Sequence, residues 1–236
     1  MTVLLLICVL GPRTGDADAF YYMKSQDILL LLKLVSLEKL ETKEDGVRSS
    51  VEVLAESYSE SWQGWDLDDV EQGTDLRHIS SEDRYSFRNL EAMTGISKSQ
   101  VSESLKRSQL VNLVALDRNS GVPKVNKKGL LEFVVHGLKY VFPASLGALV
   151  RGIPTTFAAP VMSEHLMTAG ESAFVWPDAR GKEKGQAIEP LYKSVPKAVK
   201  QDAYLYELLA LIDSIRTGRP REANLAAELF EQRLFS

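Results

Sequence analysis

The sequence predicts a mainly α chain carrying a small β-hairpin, a mixed α+β class. Three observations point there: apolar residues recur at three- and four-residue spacing towards both ends of the chain, a glycine separates two short helical stretches near its middle, and two β-favouring runs flank an Asn-Ser-Gly turn. With 236 residues, 44% of them hydrophobic and 25% charged, the chain has globular composition. That excludes collagen-like, wholly disordered and disulfide-stapled classes.

At the N-terminus, the apolar run 3–10, followed by Ala17 and Ala19, has the outline of a signal peptide but no Lys or Arg before it, and it is far too short to span a bilayer. Met23 opens MKSQDILLLLKLVSLEKL, which reads as a natural cytoplasmic start, so residues 1–22 are expected to be a leader outside the folded unit. Ile28, Leu29, Leu31, Leu32, Val35 and Leu40 predict a helix over 28–40 with one broad buried face. Residues 41–84 follow as an acidic insertion, with a short helix at 47–58 and with Trp62 and Trp65 as packing residues. The cluster Asp66, Asp68, Asp69 and Glu71 lacks the glycine and the terminal glutamate of an EF-hand loop.

Residues 85–94 read as a short helix that Gly95 ends. Ser97 and Gln100 have the spacing of a capping box at the start of the next helix, and Leu90, Ile96, Val101 and Leu105 are expected to be buried where the two helices cross. This is helix-turn-helix grammar. The runs 113–116 and 122–125 then form a hairpin around Asp117-Arg118-Asn119-Ser120-Gly121, and Asn126 caps a helix over 127–141. A hairpin directly after such a helix pair is the layout of a winged helix. The domain reading is therefore 23–142 as one unit, interrupted by the 41–84 insertion, and 143–236 as a second. That second unit carries an exposed loop or hairpin at 176–185, between Phe174-Val175-Trp176 and Ala187-Ile188, whose Arg180, Lys182 and Lys184 read as a solvated loop in preference to a DNA contact, and two amphipathic helices, one from Asp202 to the stop at Gly218 and one from Pro220 onward. The helix pair serves either as core or as a dimer contact, and the dimer is favoured.

Charge separates the modules more sharply than hydropathy. Residues 41–84 carry a net −9 and residues 85–150 a net +5, inside a chain of net −4. The single cysteine, Cys8, leaves the rest of the chain without a disulfide, a zinc cage or a thiol nucleophile, and His78, His136 and His165 have no ligand spacing. GPRTG at 11–15 lacks the lysine and spacing of a phosphate loop, and no Gly-x-Ser-x-Gly elbow occurs. No catalytic residues, metal or cofactor are expected.

The segment GISKSQVSESLKR at 95–107 resembles the recognition-helix region of winged-helix bacterial transcription regulators, notably the MarR-like group. Glu91 stands where that pattern has a small residue and Ser108 where it has leucine. The resemblance implies a cytoplasmic regulator, not an enzyme, that binds double-stranded DNA as a homodimer on a palindromic operator and has a protein partner or small-molecule effector. In that geometry the second helix lies in the major groove. Ser99, Gln100 and Ser102 would face bases, with Gln100 suited to adenine, while Lys98, Lys106 and Arg107, the wing residues Arg118 and Lys124, and Lys127 of the next helix would meet phosphates. The competing reading is a winged helix used as an antitoxin-like or adaptor module that holds a protein partner. A salt-dependent DNA complex would separate the first reading from the second.

Overall fold

The computed structural model describes residues 22–44, 64–65, 81–163, 165 and 172–236. Most of the leader and of the acidic insertion, including Cys8, the helix expected at 47–58, Trp62, the acidic cluster and His78, lie outside the described residues. The rest is a mixed α+β structure, mainly helical, around one continuous apolar core.

Helix α1 (Ser25–Glu44) is longer than the apolar spacing predicted, and residues 26–37 are all buried. The expectation of one buried face is corrected: a helix apolar nearly all round sits inside a structure rather than on it. Leu29, Leu30, Leu31, Leu32 and Leu37 are 0–1% exposed. The helix packs against elements from both halves of the chain.

Beyond the short α2 (Ser81–Arg84), Ser86 caps α3 (Phe87–Thr94) by accepting the Asn89 amide at 3.3 Å. Gly95, at φ 69°, ends that helix in the left-handed region, where glycine is least strained. Helix α4 (Lys98–Leu110) follows, and Leu90, Ile96, Val101 and Leu105 are buried between the two as expected. The capping box does not form: Ser97 has extended cap geometry but makes no side-chain cap bond. Gln100 instead accepts from Gln26 Nε2 at 2.7 Å.

Strands β1 (Val114–Leu116) and β2 (Pro123–Val125) pair antiparallel, with Ala115 opposite Lys124. Asp117 organises their turn by accepting the amides of Asn119 and Ser120 at 3.0 and 2.9 Å and the Ser120 hydroxyl. These donors hold its carboxyl below the ordinary range. The helix expected over 127–141 is two, α5 (Lys127–His136), capped by Asn126, and α6 (Leu138–Val141), broken at Gly137.

Residues 143–236 differ most from expectation, because in place of a loop or hairpin at 176–185 they hold a three-stranded sheet. Strand β3 (Leu146–Thr155) pairs antiparallel with both β4 (Phe174–Pro177) and β5 (Glu183–Ile188), and β4 and β5 pair parallel. Closing three strands this tightly requires backbones in contact. A Cβ on Gly181 would lie 2.1 Å from the Gly152 carbonyl carbon, and one on Gly152 would lie 2.1 Å from the Trp176 oxygen. Trp65 joins this unit through a bridge to Gly181, is 2% exposed and meets Tyr206 edge-on at 6.1 Å.

A 3-10 turn (Thr156–Ala158) and α7 (Pro160–Ser163) follow β3, and α8 (Val195–Val199), α9 (Ala203–Thr217) and α10 (Pro220–Phe235) complete the chain. Gly218 and Pro220 bound the last two helices as predicted. Every residue of α9 from Tyr204 to Ile215 is buried within its own chain, so this helix is core and presents no apolar face to a second copy. Asp202 caps it and binds α1, accepting from Lys33 Nζ at 2.7 Å and from Ser36 Oγ at 2.6 Å. Burial raises the Asp202 carboxyl, but the Lys33 charge and these donors outweigh it and leave it below its ordinary value. At the far end of α9, Asp213 accepts from Trp176 Nε1 at 2.6 Å, Thr155 Oγ1 at 3.2 Å and Arg216 at 2.6 Å. There burial prevails and pushes the carboxyl up.

Candidate nucleic-acid interface

Helix α4 has two faces with different chemistry. Its inner face carries Val101, Ser104, Leu105, Arg107 and Ser108, all buried. Asp27, 0% exposed at the start of α1, accepts from Arg107 Nε at 2.9 Å and Nη2 at 2.6 Å, from the Ser104 hydroxyl, and from the Lys24 amide at 2.8 Å. Arg107 is thus corrected from a phosphate contact to a structural group: it is 4% exposed, and its bond to Asp27 holds the guanidinium proton more firmly than usual. Gln100 is also partly committed, since its carbonyl oxygen is occupied by Gln26 and is not free for a bidentate contact with adenine.

The outer face keeps Lys98, Ser99, Ser102 and Lys106. Lys98 and Lys106 side chains are 57% and 60% exposed, 4.0 Å from Glu91 and 3.0 Å from Glu103. Exposed pairs of this kind contribute about 0–1 kcal/mol, so a phosphate can displace them at little cost. Ser99 is exposed and Ser102 half-buried. Arg118 lies exposed at the tip of the β1–β2 hairpin. Arg88 on α3 is an exposed cation that the sequence reading passed over, although it stands in the first turn of a helix whose apolar residues, Leu90 and Met93, occupy the buried side.

Lys124 and Lys127 turn towards the acidic end of α1, 3.6 Å from Glu41 and 3.5 Å from Glu38, in partly exposed pairs as easily exchanged for a phosphate as those of Lys98 and Lys106. The same acidic end acts on Tyr85, whose phenol is pushed far above its ordinary value, first by burial and then by Glu41 and Glu38. Between α4 and the hairpin runs a groove of about 520 Å³, lined by Phe87, Ser102, Leu105, Lys106, Leu116 and Val122 among others. Phe87 and Leu116 stand 45% and 54% exposed.

The C-terminal half reaches this face at the Thr94–Gly95 turn. The Ser194 hydroxyl donates to the Thr94 carbonyl at 2.5 Å, and a Cβ on Gly95 would lie 2.8 Å from the Ser194 Cβ. Gly95 is thus needed both for its backbone angle and for the approach of α8. Arg180, Lys182 and Lys184, weighed in the sequence as a loop with possible DNA contact, are exposed on the β4–β5 loop and β5.

Among the described residues no cluster of three or more His, Cys, Asp or Glu side chains is arranged to hold a metal, and no helix is long and apolar enough to cross a membrane. Comparison of the chain with models of known families, with curated proteins and with solved structures finds no match to any of them.

Proposed function

We propose that this chain is a sequence-specific DNA-binding transcription regulator built on a winged helix-turn-helix, similar in its reading segment to the MarR-like group, and that it acts in the cytoplasm as a dimer on a palindromic operator. One observation supports this above the others: Lys98, Ser99, Ser102 and Lys106 share the solvent side of the helix that follows the Gly95 turn, while Arg118 stands exposed at the tip of the adjoining hairpin. In this reading α4 lies in the major groove, its two serines reach base edges, and the cations reach phosphates on either side. Serine hydroxyls donate or accept and therefore serve either type of base. The DNA side of α4 is distinct from the side bonded to Asp27, so binding needs no change in the buried pair.

Selection of bound sequences from random duplexes tests the proposal. Recovery of a two-fold-related pair of half-sites about one helical turn apart, with affinity falling steeply as salt rises, is the expected result. A second reading, an antitoxin-like or adaptor module, draws on the exposed Phe87 and Leu116 beside the groove, which suit an apolar protein segment. Salt-insensitive behaviour towards every duplex, together with a stable co-purifying protein, would favour that reading.

A further inference from the structure

We infer that the segment leading into α8 is a second phosphate-contacting element, in which Lys193, just before the helix, and Lys197, within it, hold the DNA backbone beside the turn that precedes α4; this rests on the DNA-binding reading above. The two lysines belong to the C-terminal half, almost 100 residues from the reading helix, yet the fold brings their segment to it. Ser194 lies between them and donates to Thr94 O at 2.5 Å across a sequence separation of 100. The Lys197 and Ala198 amides both bond the Ser194 carbonyl, at 3.1 and 3.0 Å, so Lys197 follows Ser194 by one helical turn. Lys197 therefore stands exposed one turn beyond the residue that meets the Thr94–Gly95 turn. Lys193 is the immediate neighbour of Ser194. Both lysines are exposed.

Among the described residues neither lysine has a carboxylate within 4 Å, whereas Lys200, just beyond α8, is held 2.7 Å from Asp178. Lys98 begins α4 only three residues after Gly95, which gathers three cations from two distant parts of the chain around one turn. In a helix-turn-helix the first helix crosses the sugar-phosphate backbone while the second enters the groove. An element seated against the end of the first helix and the turn therefore meets backbone, not bases. Lysine suits that task as a compact charge without a fixed hydrogen-bond fork.

The test uses the full chain and its selected operator. In the K193A/K197A variant, affinity should fall on the order of tenfold at physiological salt, equally for operator and random duplex, and the log-affinity against log-salt slope should flatten by about two, near 0.9 for each phosphate that is no longer neutralised. The K193R/K197R variant, which keeps both charges, should retain the wild-type slope. Arg221→Ala, which removes an exposed cation from α10, should change neither quantity. If wild type binds with a steep slope and K193A/K197A keeps it, α8 does not touch DNA while the regulator reading stands. If Arg221→Ala weakens binding as much as removal of one of the lysines, the effect is one of net charge and the α8 contact is rejected. If the wild type itself binds no duplex, both ideas fall together.

Discussion

Asp27→Ala is the sharpest probe of how the reading helix is held. The carboxylate is 0% exposed and its principal partner, Arg107, is 4% exposed, so the substitution leaves a nearly buried guanidinium without its counter-charge and with a 3.5 Å contact to Ser104. Breaking a buried pair by removing one partner costs about 3–5 kcal/mol. Against a total stability of roughly 5–15 kcal/mol this is a large fraction. With a urea dependence of about 2 kcal/mol per molar, the unfolding midpoint should drop by roughly 1.5–2.5 M. Replacing both partners with apolar residues, D27L/R107M, removes the charge together with its counter-charge and should cost far less, about 1 kcal/mol or under, since such exchanges are often neutral. Urea titrations of wild type, Asp27→Ala, Arg107→Met and the double variant supply the comparison. Single variants that each lose less than about 1 kcal/mol, with the double variant equal to their sum, would show that the pair is not what fastens α4 to α1.

Three further outcomes are expected. Gly95→Ala should cost about 2–4 kcal/mol, combining left-handed strain with the Ser194 contact at 2.8 Å, whereas Gly121→Ala, at φ 68° with open space around it, should cost only the strain, about 1–2 kcal/mol; urea titration measures both. Because the Asp202 carboxyl is held below its ordinary value, its stabilising contribution is present above about pH 4 and is lost as pH falls through the lower folded value; Asp202→Asn should therefore be less stable at neutral pH but show a shallower acid decline in thermal unfolding. Lys106→Ala and Lys124→Ala, whose carboxylate pairs lie at the surface, should each flatten the salt slope of DNA binding by about one, and an unchanged slope in binding titrations would refute the phosphate contact.

The parts of the fold legible in the sequence are those whose cause is local. Leu90, Ile96, Val101 and Leu105 announce a helix crossing through spacing alone, and Asp117 to Gly121 announce a turn through the chemistry of Asp, Asn and Gly. Gly218 followed by Pro220 marks a helix boundary in the same way. Arg107 was not legible, because the carboxylate that claims it lies 80 residues earlier and helix spacing does not reveal partners. The carboxylates beside Lys124 and Lys127 were not legible for the same reason, being on α1. Strand β3 escaped notice because it contains Gly147, Gly152 and Pro154, and its first four residues are exposed on both faces, so no apolar alternation exists to read. Trp65 signalled packing, but its seat against Gly181 and Tyr206 depends on tertiary closure.

The burial of residues 26–37 of α1 also sets an order of events during synthesis. Its Lys33 awaits Asp202, 169 residues later, and its Ser36 awaits the same carboxylate. At roughly 5–20 residues per second, the ribosome needs on the order of 10–30 s to deliver that partner. Throughout that interval the leucines of 29–32 have no α9 to cover them, so the most apolar helix of the chain is among the first described elements made and among the last enclosed. Contacts closed over such distances form slowly, and a chain stalled before residue 202 displays an adhesive run of leucines that the finished protein hides.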